Sequence, residues 1–470
     1  MSTGQVQHEA SPKDRTLVAD SITTGSIPLL TFSSHASQVH PRNAVQDEPV
    51  TPAEWKEGGL QGWTVVAGSA VTFFVTVGLV YCWGVLQSEL LKRQYANSST
   101  LGWVSSTTVC LMPLFAIPVT TVIRHTNNRT VGLVGALCTG CGYIATSYTF
   151  DASVATLFCA QSLFQGLGYC LSFWSSNSLA GQYFERKRAL ATGIVYAGSG
   201  DNPGLGGAVL AIGLSRLIAK VGLETAVRIY GGMALALLIP ASFTLKERKE
   251  IQPASFRFAY LKQTNFVLLT IATALMTFRQ AVKQALFVPP FFLPSYAVAA
   301  GYTAETGAWL LAGYNFASAA GRLLFGFIAD SRVGPVTSLC AAMLLMAISI
   351  LAIWMTSMGL LAPLIVFLLV NGAASGALLS LQPPVMASLY GLSEMAITNA
   401  MVTMSRAAGS ALGPPIAGYL LDAFSGDRKQ GGTHPFLVPI GVMGAISVTA
   451  ASSLLALRWR LAGMDLKKRI

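Results

Sequence analysis

Apolar and polar positions along this chain fall into long blocks. Between Gly62 and Leu457, apolar runs about as long as a membrane span follow one another, separated by short polar connections. A bilayer core of roughly 30 Å takes about 20 helical residues at ~1.5 Å each. By that measure the pattern gives twelve candidate spans, at about 62–83, 102–123, 130–149, 153–176, 189–213, 229–245, 264–298, 306–328, 335–356, 359–381, 396–421 and 436–457. Backbone amides in lipid must be satisfied internally, so each run is a helix or part of a closed barrel. Barrel strands alternate over about ten residues, and these runs are longer and continuously apolar. The expectation is an all-α integral membrane protein.

The polar segments set the organisation. Residues 1–56 are rich in Ser, Thr, Gln, His and acids, with one short apolar run at 27–32. They cannot bury a core and read as a disordered cytoplasmic tail, without the basic start and apolar stretch of a cleavable signal. Lys and Arg mark the cytoplasmic side of a span. With the N-terminus inside, the cytoplasmic connections hold Arg124, Arg129, Arg186, Lys187, Arg188, Arg332, a cluster between Lys246 and Lys262, and the basic C-terminal end. The opposite side holds fewer, among them Lys92, Arg93 and Arg228. The reading is a multi-pass protein of the cell membrane with both termini cytoplasmic. It places the sequon Asn97-Ser-Ser99 outside, making Asn97 the glycosylation candidate, and leaves Asn128-Arg-Thr130 inside and unused.

The longest and most charged connection, 247–263, separates an N-terminal half at 57–246 from a C-terminal half at 264–458, with a basic tail at 459–470. Two parallel six-helix halves with a substrate site between them near the midplane form the architecture of one large class of secondary transporters.

Composition narrows the classes. Of 470 residues, 53% are hydrophobic and 11% charged, against about 25% charged in soluble domains. The net charge of +11 sits beside the spans, and no basic run is interleaved with aromatics, so nucleic acid is not the expected partner. All seven cysteines fall in apolar runs. Cys138-Thr-Gly-Cys141 has redox or zinc spacing but no second pair or nearby histidine, so the thiol reading stands and no metal or cofactor is expected. No histidine-rich cluster, serine elbow or intramembrane acid pair points to an enzyme.

Specific residues then carry a resemblance. Gly326-Phe-Ile-Ala-Asp330-Ser-Arg332-Val-Gly334 resembles the major facilitator signature that follows the second span of each half, with one extra residue between Asp330 and Gly334. Asp330 stands at a cytoplasmic helix end, where a carboxylate can accept bonds from a facing helix N-terminus and latch a gate. The matching stretch of the first half, 122–130, keeps only Arg129. Within that superfamily the chain is similar to the monocarboxylate porter family, its fungal members above all. Glu57-Gly-Gly-Leu-Gln-Gly-Trp63, Tyr183-Phe-Glu-Arg-Lys-Arg-Ala-Leu-Ala191-Thr-Gly193, Pro294-Ser-Tyr-Ala297 and Asn315-Phe-Ala-Ser-Ala-Ala-Gly-Arg322 carry the likeness. It implies a major facilitator fold of twelve transmembrane helices in two six-helix halves, and transport of an organic solute. Two charges of the animal lactate porters are missing: Val85 stands at the span-one lysine and Ser318 at the span-eight aspartate, while Arg322 is retained.

The remaining candidates are polar residues at membrane depth, where a charge costs at least a few kcal/mol and usually faces a wet cavity or a partner. They are Arg279, Lys283, Arg322, Arg406 and a single acid, Asp201. Four cations against one acid point to a cavity that accepts an anion, guanidinium binding a carboxylate through two parallel bonds. Arg279 and Lys283, four residues apart, share a helix face; snorkelling to the surface is their alternative. Asp201, in a Gly- and Pro-rich interruption that looks like a four-residue insertion against the family pattern, is the proton-coupling candidate; a local kink is the alternative. Asn315, Gln161 and Gln165 are neutral candidates for substrate contact, with helix packing as the bland reading, and Phe173, Trp174 and Asn371 are further candidates for the cavity wall.

The leading expectation is a secondary active transporter of a small organic anion, working by alternating access, with efflux of a metabolite favoured because lactate-type charges are absent. Proton-coupled uptake of a monocarboxylate or similar nutrient is the alternative. A non-transporting membrane sensor is the reading of another class, weakened by the short, motif-free tail.

Overall fold

The computed structural model describes residues 57–199, 205–248, 255–286, 296–298, 300–407 and 437–463; within Thr264–Leu286 it describes the side chains only as far as Leu275. These residues belong to one compact unit, Lys56–Ile470. The tail and Asp201 lie outside the described residues, as do the side chains of Arg279 and Lys283.

Among the described residues the chain is helical, without strands. The first half comprises α1 (Gly59–Lys92), α2 (Ser98–Leu114), α3 (Ala116–His125), α4 (Asn128–Thr146), α5 (Val154–Tyr183), α6 (Arg188–Ser199), α7 (Leu205–Val221) and α8 (Leu223–Thr244). The second comprises α9 (Thr264–Leu286), α10 (Ala304–Asp330), α11 (Pro335–Trp354), α12 (Leu361–Ser380), α13 (Gln382–Tyr390), α14 (Leu392–Met404) and α15 (Leu437–Ala462).

Most of the described residues in each apolar run are helical, with turns at Phe115 and near the ends of several runs. Among the described residues, six helices are long and apolar enough to cross a membrane on their own, and α2 with α3, bent by 50°, gives a seventh if the pair is one span. Pro113 lies just before that bend, and a proline removes a backbone donor and crowds the preceding turn. The other runs are interrupted, shorter or more polar. The fifth run is described as two helices, α6 and α7, and the eighth carries Asn315, Ser318 and Arg322 within α10.

The helices hold their polar groups as lipid-embedded helices must. Thr72 and Thr76 donate to the carbonyls one turn back, at 2.9 and 2.6 Å, which spares lipid an unsatisfied hydroxyl. Small residues let backbones approach. A Cβ at Gly168 would lie 2.5 Å from the Thr139 nitrogen, joining α4 to α5, and one at Gly376 would lie 2.0 Å from the Ser318 carbonyl, joining α10 to α12. Each half has its own apolar core. One gathers Leu79, Tyr143, Tyr169 and Leu238; the other gathers Tyr314, Met346, Trp354 and Phe367.

Candidate functional site

The halves meet along α6 and α10, two helices more than a hundred residues apart in sequence. Two glycines set the approach. A Cβ at Gly193 would come 2.6 Å from the Arg322 carbonyl, and one at Gly326 would come 2.8 Å from the Ala189 carbonyl. Backbone therefore lies on backbone at two levels of the seam.

At the first of those levels Arg322 is wholly buried, and its guanidinium donates to the Tyr196 carbonyl of the other half. Among the described residues, Arg322 and Arg458 are the charged side chains that are buried. Arg458 sits near the end of α15, where its Nε donates to Thr337 at 3.1 Å. Tyr196 is fixed in turn: its hydroxyl donates to Asn177 Oδ1 at 2.5 Å, and its ring lies 4.8 Å from that of Phe73. Asn315 stands two turns from Arg322 on the same face of α10. It is buried, and its Oδ1 has no donor among the described residues.

At the end of the seam, the Asp330 carboxylate accepts the Ala189 N–H at 2.8 Å and the Leu190 N–H at 2.7 Å. These amides open α6, where backbone donors are unpaired and the helix dipole is positive. A carboxylate at the C-terminal end of a helix in one half thus caps a helix of the other. Gly334 turns the chain at φ +83° after the exposed Arg332, and Pro335 opens α11. Beside Asp330 a cavity of about 360 Å³ is lined by residues of both halves, including Arg188, Ala189, Ala329 and Pro384.

The corresponding place in the first half is built differently. Arg129 donates to the Phe243 carbonyl at 2.8 Å and its guanidinium lies 5.7 Å from that ring, so it binds the end of α8 in its own half. The Asn128 N–H donates to Glu247 at 3.2 Å. Burial pushes the Glu247 carboxyl up from its ordinary value, and the Asn128 bond opposes that shift. The start of α14 has Gly391 at its cap and no side-chain cap.

Gln161 and Gln165 face the packing of the first half. Gln161 Oε1 accepts from Thr146 at 3.2 Å, and Gln165 donates to Tyr169, whose neighbour Tyr143 reaches the Leu79 carbonyl at 3.0 Å. Asn371 plays the same part in the second half, donating to Ser349 at 2.8 Å and accepting from Tyr314 at 3.2 Å. Trp174 donates to the Met112 carbonyl at 2.9 Å. The backbone of α9 carries Arg279 and Lys283. Arg406, half-buried, follows the end of α14. Asn97 is exposed, just before α2 and at the far end of α1 from Glu57. The cysteines are free thiols, and no cluster of metal-ligating side chains occurs among the described residues.

Sequence reading missed Tyr196 and Gly193 as parts of this seam, and Glu57 as the acceptor that holds the turn before α6. The last two stand in quoted motifs, and their positions there were the available signal. Glu57 Oε1 accepts the Arg186 N–H at 2.6 Å and the Lys187 N–H at 3.0 Å.

Two helical halves in a membrane, meeting on small residues around a buried cation and a capping carboxylate, define a multi-pass carrier. The solved bacterial homologue of the iron transporter ferroportin, in an outward-facing state with soaked iron, has the same fold: the TM-score is 0.66, at 12% identity, covering 84% of this chain and 99% of that one. The profile of the Major Facilitator Superfamily matches residues 68–308 and 269–465, and the chain belongs to that family. It is 29% identical over 428 residues to the MFS-type transporter opdF of Penicillium oxalicum, covering 90% of this chain and 96% of that one. It is 30% identical over 419 residues to the aspyridones efflux protein apdF of Emericella nidulans, covering 84% and 78%. Monocarboxylate transporter 4 of Gallus gallus is 28% identical over 438 residues, covering 88% and 85%. The protein is a membrane transporter, not an enzyme.

Proposed function

We propose that the protein is a secondary active carrier that moves a small organic anion out of the cell by alternating access. The observation that carries this reading is Arg322, a wholly buried cation at the seam of the halves, held by a backbone carbonyl across it. A guanidinium binds a carboxylate through two parallel hydrogen bonds, which is the chemistry that an organic anion offers. Asn315, two turns away with a buried acceptor, adds a neutral contact for a solute donor. Arg279 and Lys283 supply further positive charge from α9, and Asp201 is the acid that takes up a proton. Gln161 and Gln165, tied to neighbours within one half, serve as scaffold.

In this reading the end carrying Arg188, Asp330 and Arg332 faces the cytoplasm of a cell-membrane protein, with both termini inside and Asn97 glycosylated outside. Asp330, capping α6 from the other half, is the cytoplasmic gate, with Gly326, Arg332 and Gly334 shaping the turn around it. Export is supported by the aspyridones efflux protein among the relatives, and by Val85 and Ser318 where lactate porters carry charges.

The test is flux in proteoliposomes against a panel of labelled organic acids, aliphatic monocarboxylates included. Saturable flux that Arg322→Ala reduces at least tenfold supports the reading. Unchanged flux removes Arg322 from the mechanism. Saturation by short monocarboxylates alone would favour uptake of a nutrient. Loss of accumulation on collapsing the proton gradient, reproduced by Asp201→Asn, supports proton coupling; accumulation that persists excludes it.

A further inference from the structure

The start of α6 and the turn that leads into it are held by carboxylates from different halves. Asp330 of the second half takes Ala189 and Leu190, and Glu57 of the first half takes Arg186 and Lys187. The remainder of the α1 entry clamps the same loop. The Gly58 N–H donates to the Tyr183 carbonyl at 3.0 Å. Gly58 has φ +78°, and a Cβ there would meet the Phe184 ring at 2.5 Å. Trp63 meets that ring edge-on, with centroids 5.0 Å apart. Tyr183 is held from both sides: Gln61 donates to its hydroxyl at 3.3 Å, and that hydroxyl donates to the Lys246 carbonyl at 3.0 Å.

We infer that Glu57 is the positioning residue of the gate: it fixes the 183–187 loop so that the first amides of α6 stand where Asp330 can take them, and it retains that loop when Asp330 departs. The inference rests on the reading of the Asp330 contact as a gate. Its physical basis is the geometry of a helix start. The first amides of a helix have no partner within it, and an acceptor held beside them sets the direction in which the rest point. Glu57 belongs to the same half as α6, so its bonds survive separation of the halves. Asp330 comes from the other half, so its bonds do not. One carboxylate is thus a permanent cap and the other an exchangeable one. A cap formed across the seam is strong only if the amides are already ordered, since ordering them at each closure would cost entropy.

The experiment needs no substrate. Ala329 lines the cavity beside Asp330 and is 1% exposed in this state, so Ala329→Cys reports opening through its rate of reaction with a hydrophilic maleimide. Open membrane fragments give the reagent access to both faces, and the chain without the added cysteine gives the background. Asp330→Asn in this reporter is expected to speed labelling about fivefold, the size of a lost helix cap. Glu57→Ala is expected to do the same. Glu57→Gln, which keeps an acceptor oxygen and loses the charge, is expected to speed it about twofold. The double variant Glu57→Ala with Asp330→Asn is expected to label no faster than the faster single variant, because both act through the one helix start.

If Asp330→Asn leaves the rate unchanged, the gate reading fails and the inference falls with it. A faster rate in Asp330→Asn with an unchanged rate in Glu57→Ala overturns the role of Glu57 alone. Effects that multiply in the double variant overturn it as well, because the two carboxylates would then act independently. Should Glu57→Ala fail to fold, Glu57→Gln decides: a rate no faster than that of Glu57 overturns the proposal.

Discussion

Arg322 shows how one side chain acquires meaning from its neighbours. A guanidinium in an apolar run reads equally as a helix end cap or as a binding group. Its complete burial against the Tyr196 carbonyl places it at the seam between halves. Arg322→Lys keeps the charge but loses the planar fork, so an organic-acid flux is expected to retain activity with KM raised about tenfold or more, read in proteoliposomes. Glu247 offers a prediction in pH. Its folded-state carboxyl is raised by burial. It therefore contributes stability that is present below its ordinary value, near 4.5, and is lost as pH rises through the folded value. Glu247→Gln keeps an acceptor for Asn128 without the buried charge. Its thermal midpoint at pH 7 is expected to equal or exceed that of the native chain, with a flatter dependence between pH 4.5 and pH 7.

At the scale of elements, small residues decide where helices touch. Gly193 and Gly326 put α6 against α10 backbone to backbone, and Gly376 does the same between α10 and α12. The first two lie between halves that must part, the third within a half that need not. Gly376→Val is therefore expected to destabilise the second half, by about 1–3 kcal/mol for an overpacked core, seen as a lower thermal midpoint. Gly326→Val is expected to hold the halves apart with a smaller loss of midpoint, and to speed modification of Ala329→Cys. Equal midpoint losses with no change in that rate would show that Gly326 is ordinary packing. The buried network of Asn371, Ser349 and Tyr314 gives another test. Asn371→Ala removes one buried hydrogen bond from each of Ser349 and Tyr314 and is expected to cost about 1–3 kcal/mol in the same assay.

For the whole molecule, the two halves differ at the end that carries Asp330. The second half sends Asp330 across the seam, whereas Arg129 of the first half stays on Phe243 and the start of α14 has no side-chain cap. Among the described residues, Asp330 makes this contact in the second half and the first half shows no counterpart. Orientation is testable at this scale: Asn97→Gln is expected to abolish a glycosidase-sensitive shift in mobility on gels of fungal membranes, and a shift that survives assigns the glycan elsewhere.

The sequence by itself determined the membrane class and the helices, because lipid makes the same demand on every residue of a span and the demand is met locally. It also singled out Asp330 through its spacing from Gly326 and Gly334, although it could not say which amides that carboxylate would find. Gln161, Gln165 and Arg322 looked alike as polar interruptions of apolar runs. Only the tertiary structure turned the glutamines into the packing of one half and brought Arg322 to the seam. It alone put Glu57 on the Arg186 and Lys187 amides, 129 and 130 positions away. The physical reason is range: helix formation and burial in lipid are set by neighbours within a few turns. A hydrogen bond across two halves depends on how whole helices pack, and no local periodicity records that.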